Sequence, residues 1–139
     1  MTNKDENSSL RLIDANLNRL REGIRVIEDI FRFILDDKTN ATKLKNLRHK
    51  ARLPNYNKLL QNRDIINDVL KTTTKSELQR ENLNSILIAN FKRAQESARV
   101  VEEFTKLNTK LNFKEYSKIF KHIRYELYDL EKKLLDDKI

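Results

Sequence analysis

Asp14-Ala-Asn-Leu-Asn-Arg-Leu-Arg-Glu-Gly-Ile-Arg-Val-Ile-Glu-Asp29 aligns, at an offset of 74 residues, with Ile88-Ala-Asn-Phe-Lys-Arg-Ala-Gln-Glu-Ser-Ala-Arg-Val-Val-Glu-Glu103. Seven pairs are identical: Ala15/Ala89, Asn16/Asn90, Arg19/Arg93, Glu22/Glu96, Arg25/Arg99, Val26/Val100 and Glu28/Glu102. Self-similarity at a fixed offset marks one supersecondary unit used twice. In the first copy Ile13, Leu17, Leu20, Ile24, Ile27, Phe31 and Ile34 recur at alternating steps of four and three, the stripe of an amphipathic helix. Downstream, Leu47-Arg48 answers Ile123-Arg124 at an offset of 76. The fold class that follows is all-α, a helical bundle of two repeated antiparallel helix pairs.

Working outward, the first helix is expected over about 10–36, after a disordered tail at 1–9. The second is expected over about 41–53, capped by Asn40 and stopped by Pro54, since proline disfavours helix in the residue before it. A connector over 54–75, with a short helix around 57–61, closes repeat 1 near residue 62. Ser76-Glu-Leu-Gln79 has capping-box spacing, so the third helix is expected to run from there to about 107. Asn112 can cap the fourth, whose face carries Phe113, Tyr116, Phe120, Ile123, Leu127, Leu130 and Leu134, and repeat 2 spans about 76–135. A homodimer is the expected assembly, because helices this long expose much surface for a small monomer.

Composition agrees and removes several chemistries. The chain has 139 residues, a length that suits one domain, and only one glycine and one proline, where average usage supplies roughly 10 and 7. Hairpin turns, P-loops and dinucleotide-binding glycine motifs are thereby excluded. The absence of cysteine removes disulfides, thiolate metal sites and thiol nucleophiles. In the central helix the longest unbroken apolar run, Ile86 to Ala89, is far short of the ~20 residues that span a bilayer. The start of the chain is polar and lacks the apolar centre of a secretory signal, so a cytoplasmic protein without a membrane partner is expected.

Two features point to chemistry. On a helical projection Asn16 and Arg19 fall between the main apolar stripe and a flank of Val26 and Ile30, and Asn90 and Arg93 repeat the arrangement. Polar groups on a seam that must be partly buried need partners, so the two Asn–Arg pairs are expected to converge on one polar pocket. Pairing of these arginines with Glu22 and Glu96 is the purely structural alternative. Gly23 and Ser97 keep one edge of the pair small. The second feature is the run from Lys38 to Arg63, with eight basic residues and no acidic one, against a formal net charge of +8 for the whole chain. Such a face can bind phosphates through arginine forks, or simply be solvated. It lacks the interleaved aromatics of a nucleic-acid surface, so a small phosphorylated ligand ranks above a polymer. The two histidines, His49 and His122, cannot build a zinc site alone, and the duplicated Glu28-Asp29 and Glu102-Glu103 are only weak metal candidates.

The quoted stretch extended to Phe33, followed by Leu47-Arg48-His49, Arg63-Asp64, Ala89-Asn-Phe-Lys-Arg-Ala-Gln-Glu96 and Arg99-Val-Val-Glu-Glu103, resembles one bacterial family. It is the helical hydroxymethylpyrimidine phosphate kinase domain often fused ahead of thiamine-phosphate synthase. The resemblance covers about residues 10–107, and the fourth helix matches only in general character. It implies transfer of the γ-phosphoryl group of ATP, with Mg²⁺, to 4-amino-5-hydroxymethyl-2-methylpyrimidine phosphate, in the kinase-type domain alone, with thiamine-phosphate synthase as a separate partner chain. Under that reading Arg19, Arg93 and Arg48 hold phosphates, helped by Arg63, Lys92, His49, Arg25 and Arg99. Asn16 and Asn90 contact the pyrimidine or order the pocket, while Glu22, Glu96 or Asp64 hold Mg²⁺ or orient the arginines. One departure is Asp68-Val69-Leu70, where the family tends to have glycine at the third position. Two other classes stay open at this point: a non-catalytic module that docks on the synthase, and a basic helical protein that binds RNA or another polyanion.

Overall fold

A computed structural model describes residues 2–136. Five helices carry the chain: α1 (Asn3–Asp29), α2 (Lys38–Lys50), α3 (Tyr56–Gln61), α4 (Leu83–Phe104) and α5 (Ser117–Leu135), with no strand among the described residues. The long helices form two hairpins, α1–α2 and α4–α5, and α1 packs along α4 to join them. The all-α bundle of two repeated helix pairs is therefore what the chain forms.

Several boundaries differ from the sequence expectation, each for a local reason. Residues 3–9, expected as a tail, are helical, because Thr2 and Asp5 form a capping box: Thr2 Oγ1 accepts from the Asp5 amide at 3.1 Å, and Asp5 Oδ2 accepts from the Thr2 amide at 3.4 Å. α1 ends in a π-helical turn, Ile30–Ile34, which turns Phe33 and Ile34 outward instead of extending the buried stripe. Asp36 then adopts a left-handed conformation (φ 50°), and Asp37, not Asn40, caps α2 by accepting from the Asn40 amide at 3.1 Å. α2 stops at Lys50, short of the expected 53. The box at Ser76 yields a single 3-10 turn, Ser76–Leu78, and Leu78 stays exposed. The helix waits for Asn82, whose Oδ1 accepts from Ser85 N at 2.9 Å just before the apolar stripe begins. A cap without a buried face behind it does not propagate. Asn112 is left-handed (φ 51°) and does not cap α5, which starts at Ser117 after the 3-10 turn Lys114–Tyr116.

Phe31, Phe91 and Phe120, with Leu20, Ile24, Ile27, Leu87 and Leu127, form the centre of the core. Gly23 faces α4 at close range: a Cβ there would lie 3.3 Å from the Asn90 carbonyl oxygen and 3.4 Å from Ala94 Cβ. The only glycine of the sequence thus sets the spacing of the two hairpins.

Each hairpin is fastened by a buried ion pair. In the first, Arg48 reaches back from α2 to Glu28, with Nε to Oε1 at 2.7 Å and Nη2 to Oε2 at 3.3 Å. In the second, Arg124 holds Glu102 through Nε and Nη2, at 3.2 and 2.9 Å, both to Oε1. Both carboxylates are almost fully buried. Removing one partner of such a pair leaves an uncompensated charge and costs about 3–5 kcal/mol.

Candidate functional site

The connector after α3 folds back onto the outer flank of α1. Arg63 makes a bidentate pair with the buried Asp14, Nε to Oδ2 at 2.7 Å and Nη2 to Oδ1 at 2.9 Å. That bond holds the Arg63 guanidinium pKa above its ordinary value. Next in sequence, Asp64 folds the chain into a tight turn, its Oδ1 accepting from the Ile66 and Asn67 amides and its Oδ2 from Asn67 Nδ2 at 2.7 Å. The Asn67 side-chain bond, helped by those amides, lowers the Asp64 carboxyl below the usual range. Its backbone carbonyl accepts from Arg11 Nη2 at 3.0 Å, and Asp68 caps Leu70 through Oδ1 at 2.9 Å. These bonds all act on the connector, so the loop is pinned at two points to α1.

Between the loop and the helix lies a cleft of about 710 Å³. Its helix wall carries Arg11, Asn16, Arg19 and Glu22, and its loop wall carries Asp68 and Lys71. Asn16 is buried and gives Nδ2 to the Leu12 carbonyl at 3.0 Å, which leaves its Oδ1 as the acceptor on offer. Arg19 and Glu22 are exposed and have no ion-pair partner among the described residues. A free guanidinium, a free carboxylate and an oriented amide side by side suit a polar, charged ligand better than they suit stability.

The second repeat does not join this cleft. Asn90 copies Asn16 faithfully, giving Nδ2 to the Ile86 carbonyl at 2.9 Å. Arg93 and Glu96, however, are exposed and lie outside the cleft lining, so the expected convergence of two Asn–Arg pairs on one pocket is not what the structure forms. The reason is the connector, which follows the first hairpin and covers only α1. Lys92 is engaged with Glu131 at 3.1 Å, Arg99 with Glu102 and Glu103 at 3.3 Å, and Arg25 with Asp29 at 3.1 Å. Arg48 is committed to Glu28, about 14 Å further along α1 from Arg19 on another flank, and the neighbouring His49 is exposed there. Both are separate from the cleft. Arg63, expected on a phosphate, is a strut for the loop.

A metal in the cleft would have to arrive with a ligand. No group of three or more His, Asp or Glu residues able to hold one exists among the described residues. Glu22, Asp64 and Asp68 all line the cleft, with both oxygens of Asp64 and one of Asp68 engaged in the turn. The sequence reading missed Asp14, Arg11, Asp68 and Lys71, and it missed that the duplicated Glu28/Glu102 and the duplicated Arg48/Arg124 are partners. The two offsets, 74 and 76, were signal enough for that pairing.

A family model matches residues 11–133. The chain belongs to the ThiD2 family. Curated relatives bear the name thiamine-phosphate synthase. The protein of Prochlorococcus marinus (strain AS9601) is 40% identical over 96% of this chain and 38% of its own length, and that of a Synechocystis strain is 37% identical over 93% and 37%. That of Rhodopirellula baltica is 35% identical over 92% of the chain and 34% of its own length. This ThiD2 chain therefore spans about a third of the length of the relatives it matches. No solved structure matches it. Among the described residues no helix is long and apolar enough to cross a membrane.

Proposed function

We propose that this chain is an ATP-dependent phosphotransferase of thiamine biosynthesis, converting 4-amino-5-hydroxymethyl-2-methylpyrimidine phosphate to its diphosphate. The observation that carries this reading is the unpaired Arg19 beside Asn16 and Glu22 in a cleft large enough for phosphorylated ligands. Membership in the ThiD2 family and the name of the curated relatives support the pathway.

In the proposed reaction an anionic oxygen of the pyrimidine phosphate attacks the γ-phosphorus of ATP. A new P–O bond forms as the bond from the γ-phosphorus to the β–γ bridging oxygen breaks, and ADP departs with that electron pair. The nucleophile is already ionised, so no strong base is required, and catalysis rests on positioning and charge. Arg19, with Arg11 and Lys71 nearby, would neutralise the transferring group. Asn16 Oδ1 would accept from the 4-amino group of the pyrimidine. Glu22 and Asp68 would hold Mg²⁺, which would supply positive charge against the phosphates.

Incubation of the protein with Mg-ATP and the pyrimidine phosphate, followed by mass detection of the diphosphate, tests this directly. Product that disappears in Arg19→Ala while the helical circular dichroism is retained supports the cleft. Absence of product from the folded parent protein refutes it. A second reading, a module docking on thiamine-phosphate synthase, is favoured by Ile66, Val69 and Leu70, which stand 75–93% exposed on the connector. A stable complex with that enzyme, without diphosphate formation, would establish it. A homodimer in a cytoplasmic setting belongs to the same proposal, and light scattering measures the assembly. The polyanion reading would require steeply salt-dependent binding to arbitrary RNA.

A further inference from the structure

A separate cavity of about 290 Å³ opens where the end of α1 turns into α2, and it shares no lining residue with the cleft. One wall is a single face of α2: Lys38 and Lys45 stand about two turns apart, with Ala41 and Thr42 between them. The other wall comes from Glu28, from Arg32 in the π-helical turn, and from Asp36 just past it.

The cations around this cavity are left over once the neighbouring acids have been used. Arg32 has two acids one turn back on its own helix, but Arg48 occupies both oxygens of Glu28, at 2.7 and 3.3 Å, and Arg25 holds Asp29 at 3.1 Å. The sequence has no acidic residue from Lys38 to Arg63, so α2 offers none to Lys38 or Lys45. Arg32, Lys38 and Lys45 accordingly have no ion-pair partner among the described residues. With Glu28 neutralised by Arg48, three cations face the single carboxylate of Asp36. Like charges gathered around one recess repel each other, and an anion seated among them turns that repulsion into attraction.

Arg32 is also held in place. Its guanidinium carbon lies over the Phe33 ring, 4.8 Å from the ring centre, and stacking of this kind leaves the N–H edge open to a ligand. The stack gives a task to Phe33, which the π-helical turn leaves 64% exposed. Such turns within α-helices are frequent at functional sites. Thr42 adds no donor, because its hydroxyl already donates to the Lys38 carbonyl at 2.7 Å, so recognition here rests on charge.

We propose that Arg32, Lys38 and Lys45 bind a small phosphate-type dianion in this cavity. The arginine fork meets two oxygens of a tetrahedral oxyanion, and the two ammonium groups add point charges. A volume at the lower edge of small-molecule pockets suits a phosphate group better than a whole nucleotide. The inference stands whether or not the cleft performs phosphoryl transfer.

Titration of the chain with inorganic phosphate at low chloride, followed residue by residue through its amide NMR resonances, is the test. The signals of Arg32, Lys38 and Lys45 should move along one saturable curve. Arg32→Gln and Lys45→Gln, both at exposed positions, should each weaken that curve about tenfold or more, as loss of a charge-assisted contact requires, with helical circular dichroism retained. Asp36→Asn removes the opposing carboxylate at a left-handed position that asparagine tolerates, and it should tighten binding several-fold. Arg19→Ala should leave the curve unchanged, since any response of the cleft is read separately at Asn16 and Arg19. A response that fails to saturate at millimolar phosphate, one that survives Arg32→Gln with Lys45→Gln, one confined to the cleft, or weaker binding in Asp36→Asn each overturns the proposal. Methyl phosphate binding as tightly as phosphate assigns the site to a monophosphate ester, and its exclusion assigns the site to free phosphate.

Discussion

The first and second hairpins share their skeleton and differ in their chemistry. Both bury a glutamate under an arginine from the partner helix, and both tie an asparagine amide to the carbonyl one turn back. Only the first is wrapped by a connector that makes a cleft, while the second adds Arg99 and Lys106 to the arginine on its buried glutamate. What is duplicated with its contacts intact therefore holds the fold, and what has diverged marks where ligands are expected. Arg19 and Arg93 show the rule at a single position: they are identical in sequence, but one lines a cleft and the other does not.

The largest effects should come from the clamps. Arg48→Ala strands the buried Glu28 and should cost about 3–5 kcal/mol in urea denaturation, whereas Arg124→Ala should cost less, because Arg99 and Lys106 still pair with Glu102. Equal losses would show that Arg99 and Lys106 contribute nothing at Glu102, and a smaller loss for Arg124→Ala would confirm this difference between the hairpins. Next, Arg19→Ala should lower diphosphate formation by about two to three orders of magnitude, as removal of a charge stabiliser does, while Arg93→Ala should leave the rate within a few-fold. Equal damage by both would show that the second repeat reaches the site after all. Gly23→Ala probes the seam between the hairpins. Helix propensity favours it by about 1 kcal/mol, but the new methyl meets the Asn90 carbonyl, and overpacking costs about 1–3 kcal/mol. A net loss of about 1 kcal/mol is expected by thermal denaturation, and a gain would show that α4 can yield.

The smallest effect concerns pH. His49 titrates below its ordinary value in the folded chain, so over the window beneath about pH 6.5 the unfolded chain binds more protons. Stability should therefore be complete above that value and fall as the pH drops through the folded pKa. A His49→Gln variant should show a flatter profile there.

The stripe from Ile13 to Phe31 and the repeat at 74 residues carried the helices and their pairing, because burial has a period that a sequence displays. Residues Asn16, Arg19 and Glu22 were legible as a polar interruption for the same reason, and they do line one cleft. The opposite wall was not legible. It depends on a loop whose position is set by Arg63 reaching Asp14 across 49 residues, and a single long-range ion pair leaves no periodic trace. Charge alone also misled at Arg48: a basic run looks the same whether its members face solvent or, like Arg48, close over a buried acid. The start of α4 shows the converse limit, since Ser76 offers a valid cap but the residues after it have nothing to bury.

The π-helical turn at Ile30–Ile34 has an evolutionary reading. Its Ile30 carbonyl accepts from Leu35, five residues on, at 3.0 Å, so the turn holds one more residue than an α-helical turn would. A helix that gains a residue without moving its neighbours absorbs it in this way, as a local loop of slack. Deletion of one residue within 30–34 should accordingly be tolerated, with α2 kept in its place on α1 and the Glu28–Arg48 clamp intact. Chain length is thus free to vary by one at this point.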